Sequence, residues 1–271
     1  MAESFYEPRG DGLYAATELT RGPWDPGAQH AGPPAALLGR ELERLGGGRL
    51  GDDGAPAQVG RITFELLRSV PIAPLRASAA VVRPGRRVEM VEATLADEAG
   101  EPLIRARGWR LRTAEVPFDQ PSQDAPETPP GPESGEPGEF FHTGYDVGYH
   151  TAMDYRFVSG AFMEAGPATV WMRMAVPLLP DELPSPLQRV LAAADSGNGV
   201  SAALDWRRYL FINVDLSVHL HRMPEGEWVC LEAITLPERD GVGISDTALF
   251  DRSGPIGRAA QTLLVDERES S

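Results

Sequence analysis

Several short stretches of the sequence carry residue types able to do chemistry. In an extended chain over residues 215–221, Asp215, Ser217, His219 and His221 fall on one face and Leu216, Val218 and Leu220 on the other. His-x-His beside a carboxylate is a zinc-binding pattern. No further ligand cluster is evident in the sequence, so the stretch is read as the wet outer face of a strand and no metal is assigned. A glycine-flanked helix start offers unpaired backbone N–H groups to a developing negative charge. His30-Ala31-Gly32 stand ahead of the first helical segment in this way, and Asp195-Ser196-Gly197 occupy the corresponding place in the second half, with ordinary capping as the competing role. Gln261 interrupts the otherwise small or apolar run GRAAQTLLV, where a buried amide needs partners.

Other chemistries lack their residues. The single cysteine, Cys230, lies in an apolar run with Trp228, Val229 and Leu231, which excludes an intramolecular disulfide and reads as a buried structural thiol. There is no G-x-S-x-G elbow and no P-loop, so serine-hydrolase and NTPase readings have no motif to stand on. A net charge of -15 argues against nucleic acid and anionic membrane surfaces as partners. Arg86-Arg87 and Arg207-Arg208 are the candidates for a local basic pocket, although paired arginines are more often solvated surface. No apolar stretch approaches the roughly 20 residues of a membrane span. The start of the chain, Met1 to Gly10, is polar and acidic without a signal-like apolar run, so a soluble, cytoplasmic protein is expected.

The elements that must position these residues fall into two similar halves. Pro33-Pro34 open the segment AALLGRELERL, whose Leu38, Leu42 and Leu45 recur at helical spacing before Gly46-Gly47-Gly48 stop it. Four strand-like runs follow, at 60–69, 75–83, 86–97 and 102–113, separated by Pro and Gly turns. Residues 117–138 are dense in Pro, Gly, Ser and acid and read as a linker, dividing the chain into units 1–116 and 139–271. The polar stretch from Asp266 onward is likewise not core. The second unit shows strands near 153–158 and 169–176, a helix at 186–194, and four more strand-like runs. ITFELLRSVP (62–71) corresponds to DLSVHLHRMP (215–224), and LADEAGEPLIRARGWRLR (95–112) to LFDRSGPIGRAAQTLLV (249–265), which indicates a duplicated helix-plus-sheet unit.

One helix followed by an antiparallel sheet, given twice, resembles the double hot-dog fold, an α+β architecture in which each sheet wraps one helix. The segments WDPGAQHAGPPAALL (24–38), ADSGNGVSAALDW (194–206), INVDLSVHLHR (212–222) and GRAAQTLLV (257–265) are similar to the acyl-CoA thioesterase II family and its thioesterase-like relatives. The resemblance implies hydrolysis of an acyl-CoA or related thioester by an activated water, without metal or redox cofactor, and further association into homo-oligomers. It implies a water held by an aspartate, a hydroxyl residue and a glutamine of the second unit, carried here onto Asp215, Thr235 and Gln261. The first unit offers only Arg61-Ile62 and Arg107-Gly108 at the aligned positions, so one site per chain is expected. His30, Gly32, Asp195 and Gly197 are assigned to substrate binding, and Asp195 is the runner-up for the carboxylate. The alternatives are a non-catalytic acyl- or aryl-binding hot-dog protein and, with no Asp/His dyad at a helix start of one unit, less favoured still, a hydratase.

Overall fold

A computed structural model describes residues 3–50, 54–118, 126–138, 140 and 143–268. In the first half, a hairpin of β1 (Tyr6–Gly10) and β2 (Leu13–Ala16) precedes helix α1 (Gly32–Arg44). The short β3 (Arg49–Leu50) and the long strands β4 (Ala55–Leu66), β5 (Pro74–Arg83), β6 (Val88–Ala96) and β7 (Pro102–Arg112) follow. The second half holds β8 (Glu136–Pro137), the one-turn α2 (Tyr149–Ala152), β9 (Met153–Ser159), β10 (Ala168–Met174), α3 (Pro186–Ala194) and the one-turn α4 (Gly197–Val200). It ends with β11 (Tyr209–Asn213), β12 (Asp215–Leu220), β13 (Val229–Pro237), β14 (Val242–Asp251) and β15 (Gly254–Glu267).

The strands form a single antiparallel sheet in the order β1-β2-β5-β6-β7-β4-β12-β15-β14-β13-β10-β9-β8, with β11 paired to β15 and β3 to β4. The halves join where β4 meets β12, with Ile62 opposite Val218 and Phe64 opposite Leu216. Strand burial alternates, so the apolar side chains of both halves turn to one face. Helices α1 and α3 lie on that face and are buried against it and each other, as their Leu37, Leu38, Leu42, Leu187, Val190 and Leu191 side chains show. Two glycines permit the helix contact. A Cβ on Gly39 would sit 2.3 Å from Leu191 Cδ1, and one on Gly32 would sit 2.3 Å from the Ala192 carbonyl oxygen. The start of α1 is thereby pressed against the end of α3, and this junction between the halves builds the site.

The structure adds to the sequence reading in three places. The β1–β2 hairpin was not expected, because EPRGDGLYAA is too short and polar to show a strand pattern. Its tight turn is set by Gly10, Asp11 and Gly12, all with left-handed φ (85°, 49° and 72°). Within the expected linker, residues 119–125 lie outside the described residues, as do residues 1–2 of the chain start and 269–271 of the polar end. Its later part packs on the second half: β8 pairs with β9, and the Trp171 indole N–H donates to Pro130 O at 2.7 Å. The pairing of 62–71 with 215–224 is out of phase by one residue. Ile62 and Phe64 face the core, whereas the residues aligned with them, Asp215 and Ser217, face away and Leu216 and Val218 face in. Strand side chains alternate with period two, so a slip of one residue exchanges the faces.

Candidate active site

Asp195 caps the C-terminal end of α3 and is 8% exposed. Its carboxylate collects side chains from three other parts of the fold. Asn213 Nδ2, at the end of β11, donates to Oδ1 at 2.8 Å. Gln261 Nε2, on the inward face of β15, donates to the same oxygen at 3.2 Å and to the Asp195 main-chain oxygen at 3.2 Å. His30 Nδ1, just ahead of α1, lies 3.1 Å from Oδ2. Gln261 Oε1 accepts the Asn198 N–H of α4 at 3.1 Å, so both ends of this buried amide are engaged and its orientation is fixed.

His30 is held as tightly. Its ring stacks on Tyr149 of α2 with centroids 3.8 Å apart and planes 8° from parallel. The Tyr149 hydroxyl donates to Ala192 O at 2.6 Å and lies 3.0 Å from Ser196 Oγ, tying α2 to the α3–α4 corner. The Gly32 N–H donates to His30 Nδ1 at 3.0 Å. Burial lowers the imidazole pKa, with the Asp195 charge acting in the opposite sense, so His30 is neutral at neutral pH. Nδ1 thus faces both a donor, the Gly32 N–H, and an acceptor, the Asp195 carboxylate. Nδ1 has a single in-plane site, so accepting the Gly32 N–H and donating to Asp195 are alternatives set by which ring nitrogen carries the proton.

These groups line a cavity of about 540 Å³. Its rim is exposed and carries Trp24, Leu67, Arg68 and Ile212. Its far end is buried and aromatic, with Tyr149, Tyr155 and Phe162. The polar cluster of His30, Asp195, Asn213 and Gln261 belongs to the wall.

Of the three residues assigned to holding water, the structure brings only Gln261 to the cavity. Asp215 begins β12 on the outward face, opposite Glu65, and its Oδ1 accepts the Thr262 N–H at 2.6 Å. The carboxylate that Gln261 meets is Asp195. Thr235 is buried on β13, where Oγ1 lies 2.9 Å from Ser201 Oγ, which itself donates to Gly197 O at 2.8 Å. That bond seats α4 on the sheet, and Thr235 is not among the cavity-lining residues. Gly197 has a packing role there, because a Cβ would come 2.5 Å from Thr247 Oγ1. Asp195-Ser196-Gly197 follow the helix of the second half and do not precede it, so they do not correspond to His30-Ala31-Gly32. Gly32 gives its N–H to His30, and Pro33 and Pro34 have none to give, so the expected cluster of free amides at the start of α1 reduces to Ala31. Asn213 was missed. Its position two residues ahead of Asp215, at a strand end, gives no sign in the sequence that its side chain turns inward.

The outer-face reading of 215–221 holds, with His219 and His221 exposed. Among the described residues, no group of three or more His, Cys, Asp or Glu comes together to hold a metal ion. Cys230 is buried with Trp171 and Phe250, and burial pushes its thiol pKa up, which disfavours the nucleophilic thiolate. No helix among the described residues is long and apolar enough to cross a membrane.

Comparison with known proteins agrees with this architecture. The family described as acyl-CoA thioesterase N-terminal domain matches residues 20–111, and that described as acyl-CoA thioesterase C-terminal domain matches residues 121–265. Among curated proteins none matches. A solved structure assigned as a thioesterase II from Thermobifida fusca superposes with a TM-score of 0.73 at 18% identity, covering 97% of this chain and 96% of that one. The acyl-CoA thioesterase II TesB2 of Mycobacterium marinum gives 0.64 at 18% identity over 97% and 96% of the two chains. A conserved hot-dog protein of unknown function from Alicyclobacillus acidocaldarius gives 0.68 at 16% identity over 96% and 93%. At these identities the likeness establishes the fold, a double hot-dog.

Proposed function

Because the chain belongs to the acyl-CoA thioesterase family, we propose that it hydrolyses acyl thioesters in the cavity at the junction of its halves, with Asp195 as the working carboxylate. The observation that carries this reading is the convergence of Asn213, Gln261 and His30 on one buried carboxylate that borders the cavity. An ionised carboxylate has about four acceptor sites. The three side chains leave room for one water, which donates to Asp195 and lies against the thioester carbonyl.

The steps then balance. Asp195 takes a proton as the water oxygen forms its bond to the carbonyl carbon. Negative charge builds on the carbonyl oxygen, for which the Ala31 N–H, on the cavity lining at the positive end of α1 and bonded to no described residue, is the candidate donor. The tetrahedral intermediate collapses by breaking the carbon–sulfur bond, and the proton held by Asp195 passes to the departing sulfur, giving free acid and thiol. Asn213 and Gln261 keep the carboxylate in one orientation, and His30 shares its second oxygen. No metal or redox cofactor takes part in this reading. Arg68 and Arg268 border the cavity and suit the phosphates of a coenzyme A carrier. Arg68 also reaches Glu101 at 3.4 Å across an exposed pair, which a phosphate can displace.

The deciding experiment is free-thiol release from a panel of acyl-CoA esters by wild type, Asp195→Asn and Asp215→Asn. Loss of about 10²-fold or more in Asp195→Asn alone is expected. Full activity in Asp195→Asn ends the reading. No release from any ester by the wild type turns it to the second one, binding without turnover, which the near-saturation of Asp195 by three protein side chains also favours.

A further inference from the structure

The buried end of the cavity has a chemistry of its own. Tyr155 of β9 and Phe162 in the loop after it meet edge to face, with ring centroids 5.0 Å apart. Phe162 meets Phe140 in the same way at 4.7 Å. Tyr149 and the His30 ring stacked on it continue this aromatic wall back to Asp195. Phe162 also meets Phe157 edge to face at 4.9 Å and Phe140 stacks on His150 at 5.0 Å, so the rings form a packed aromatic surface on which a further aromatic group gains about 0.5–1.5 kcal/mol per pair beyond area burial.

Tyr155 adds a polar requirement. It lines the cavity and is 8% exposed; its hydroxyl bonds to no described residue and is open to the cavity, not sealed in the core as Ser245 Oγ is. The other buried tyrosines are satisfied: Tyr6 donates to Gln29 Oε1 at 2.6 Å, Tyr14 to Glu41 Oε1 at 2.8 Å and Tyr149 to Ala192 O at 2.6 Å. Burial raises the Tyr155 pKa well above its ordinary value, so it remains an O–H able both to donate and to accept. A ligand that covers this hydroxyl displaces the water able to pair it, so one that offers a hydrogen bond in its place avoids leaving a buried group unpaired.

We infer that the acyl group this cavity is shaped for is a compact aromatic one with a hydrogen-bonding substituent on its ring, the ring lying against Phe162 and Tyr149 and the substituent meeting the Tyr155 hydroxyl. The inference rests on the thioesterase reading for the position of the thioester at Asp195. The exposed, arginine-bearing rim takes the carrier, which directs the acyl group to the buried end. A straight alkyl chain fills the apolar wall equally but leaves the Tyr155 hydroxyl unpaired.

The test uses the full chain with phenylacetyl-, 4-hydroxyphenylacetyl-, hexanoyl- and palmitoyl-CoA. Thiol release gives kcat/KM, and calorimetry gives Kd for thioether analogues of the same four groups, which cannot be hydrolysed. The hydroxylated aryl ester is expected to exceed the plain aryl ester by about tenfold, and both alkyl esters by more. In Tyr155→Phe the ratio between the two aryl groups should fall to near one in both measurements. Alkyl groups processed and bound as well as aryl ones, or an aryl ratio unmoved in Tyr155→Phe, overturns the inference. If no ester is hydrolysed, the calorimetric arm decides: tenfold tighter binding of the hydroxyaryl analogue, lost in Tyr155→Phe, upholds the ligand class and ends only the hydrolytic reading. Equal binding of all four analogues ends both.

Discussion

His30 and Asp195 stand 165 positions apart in the chain (195 minus 30), yet His30 Nδ1 lies 3.1 Å from Asp195 Oδ2. One precedes the helix of the first half and the other ends the helix of the second. The contact exists because α1 and α3 pack with no side chain between Gly32 and the Ala192 carbonyl. Neither half contains the cluster alone.

Removing the charge of the clustered carboxylate should separate chemistry from folding. Asp195→Asn is expected to lower kcat by about 10²–10⁴-fold with little change in KM, since the lost proton acceptor acts in the transition state. Asp215→Asn should stay within about threefold of wild type, because among the described residues its outward oxygen serves only the Thr262 N–H. Steady-state kinetics of both variants checks the pair, and the reverse pattern returns the carboxylate role to Asp215.

The depressed pKa of His30 makes stability depend on pH with a defined sign. Its folded-state pKa lies below the unfolded value of about 6.5, so the folded chain binds fewer protons there. The contribution is fully present above about pH 6.5 and is lost as pH falls through the folded-state pKa. His150, also lowered by burial, adds a slope of the same sign. Urea midpoints from pH 8 to 5 should fall in the wild type and fall less in His30→Gln, whose side chain does not titrate. An unchanged slope removes His30 from the pH response.

A methyl group at the helix junction should damage folding and site together. In Gly32→Ala the new Cβ would press on the Ala192 carbonyl, a backbone atom that moves only if α1 and α3 separate. About 1–3 kcal/mol of destabilisation is expected from such overpacking, with a fall in kcat as His30 leaves Asp195. Denaturant unfolding and turnover should change in parallel, whereas an Ala variant with wild-type turnover would show that the junction does not hold the cluster.

Gln261 and Thr235 were paired in the sequence reading, and the structure gives them different work. Gln261→Leu leaves the Asn198 N–H unpaired and frees the Asp195 carboxylate, so turnover should fall by about 10-fold or more. Thr235→Val removes one bond beneath α4 and should cost about 1 kcal/mol of stability with turnover nearly kept. Unfolding midpoints measured beside kinetics distinguish the two, and equal losses of turnover would place Thr235 back in the chemistry.

What the sequence determined by itself is what local pattern encodes. The two helices behind Pro33-Pro34 and at 186–194, the long strands and their alternating faces, and the duplication all follow from periodicity and turn residues, which act between near neighbours. That Gln261 is buried with partners was legible for the same reason, because an amide in a small and apolar run must be satisfied. Which carboxylate it meets was decided only by the tertiary structure. Alternation already put Asp215 on the outer face of its strand, and only the fold shows that its carboxylate stays there, on the Thr262 N–H, while Asp195 takes the place beside Gln261. Asp195 reaches Gln261, Asn213 and His30 because α3 ends where β11, β15 and the start of α1 converge, and that convergence is a property of helix packing across the two halves.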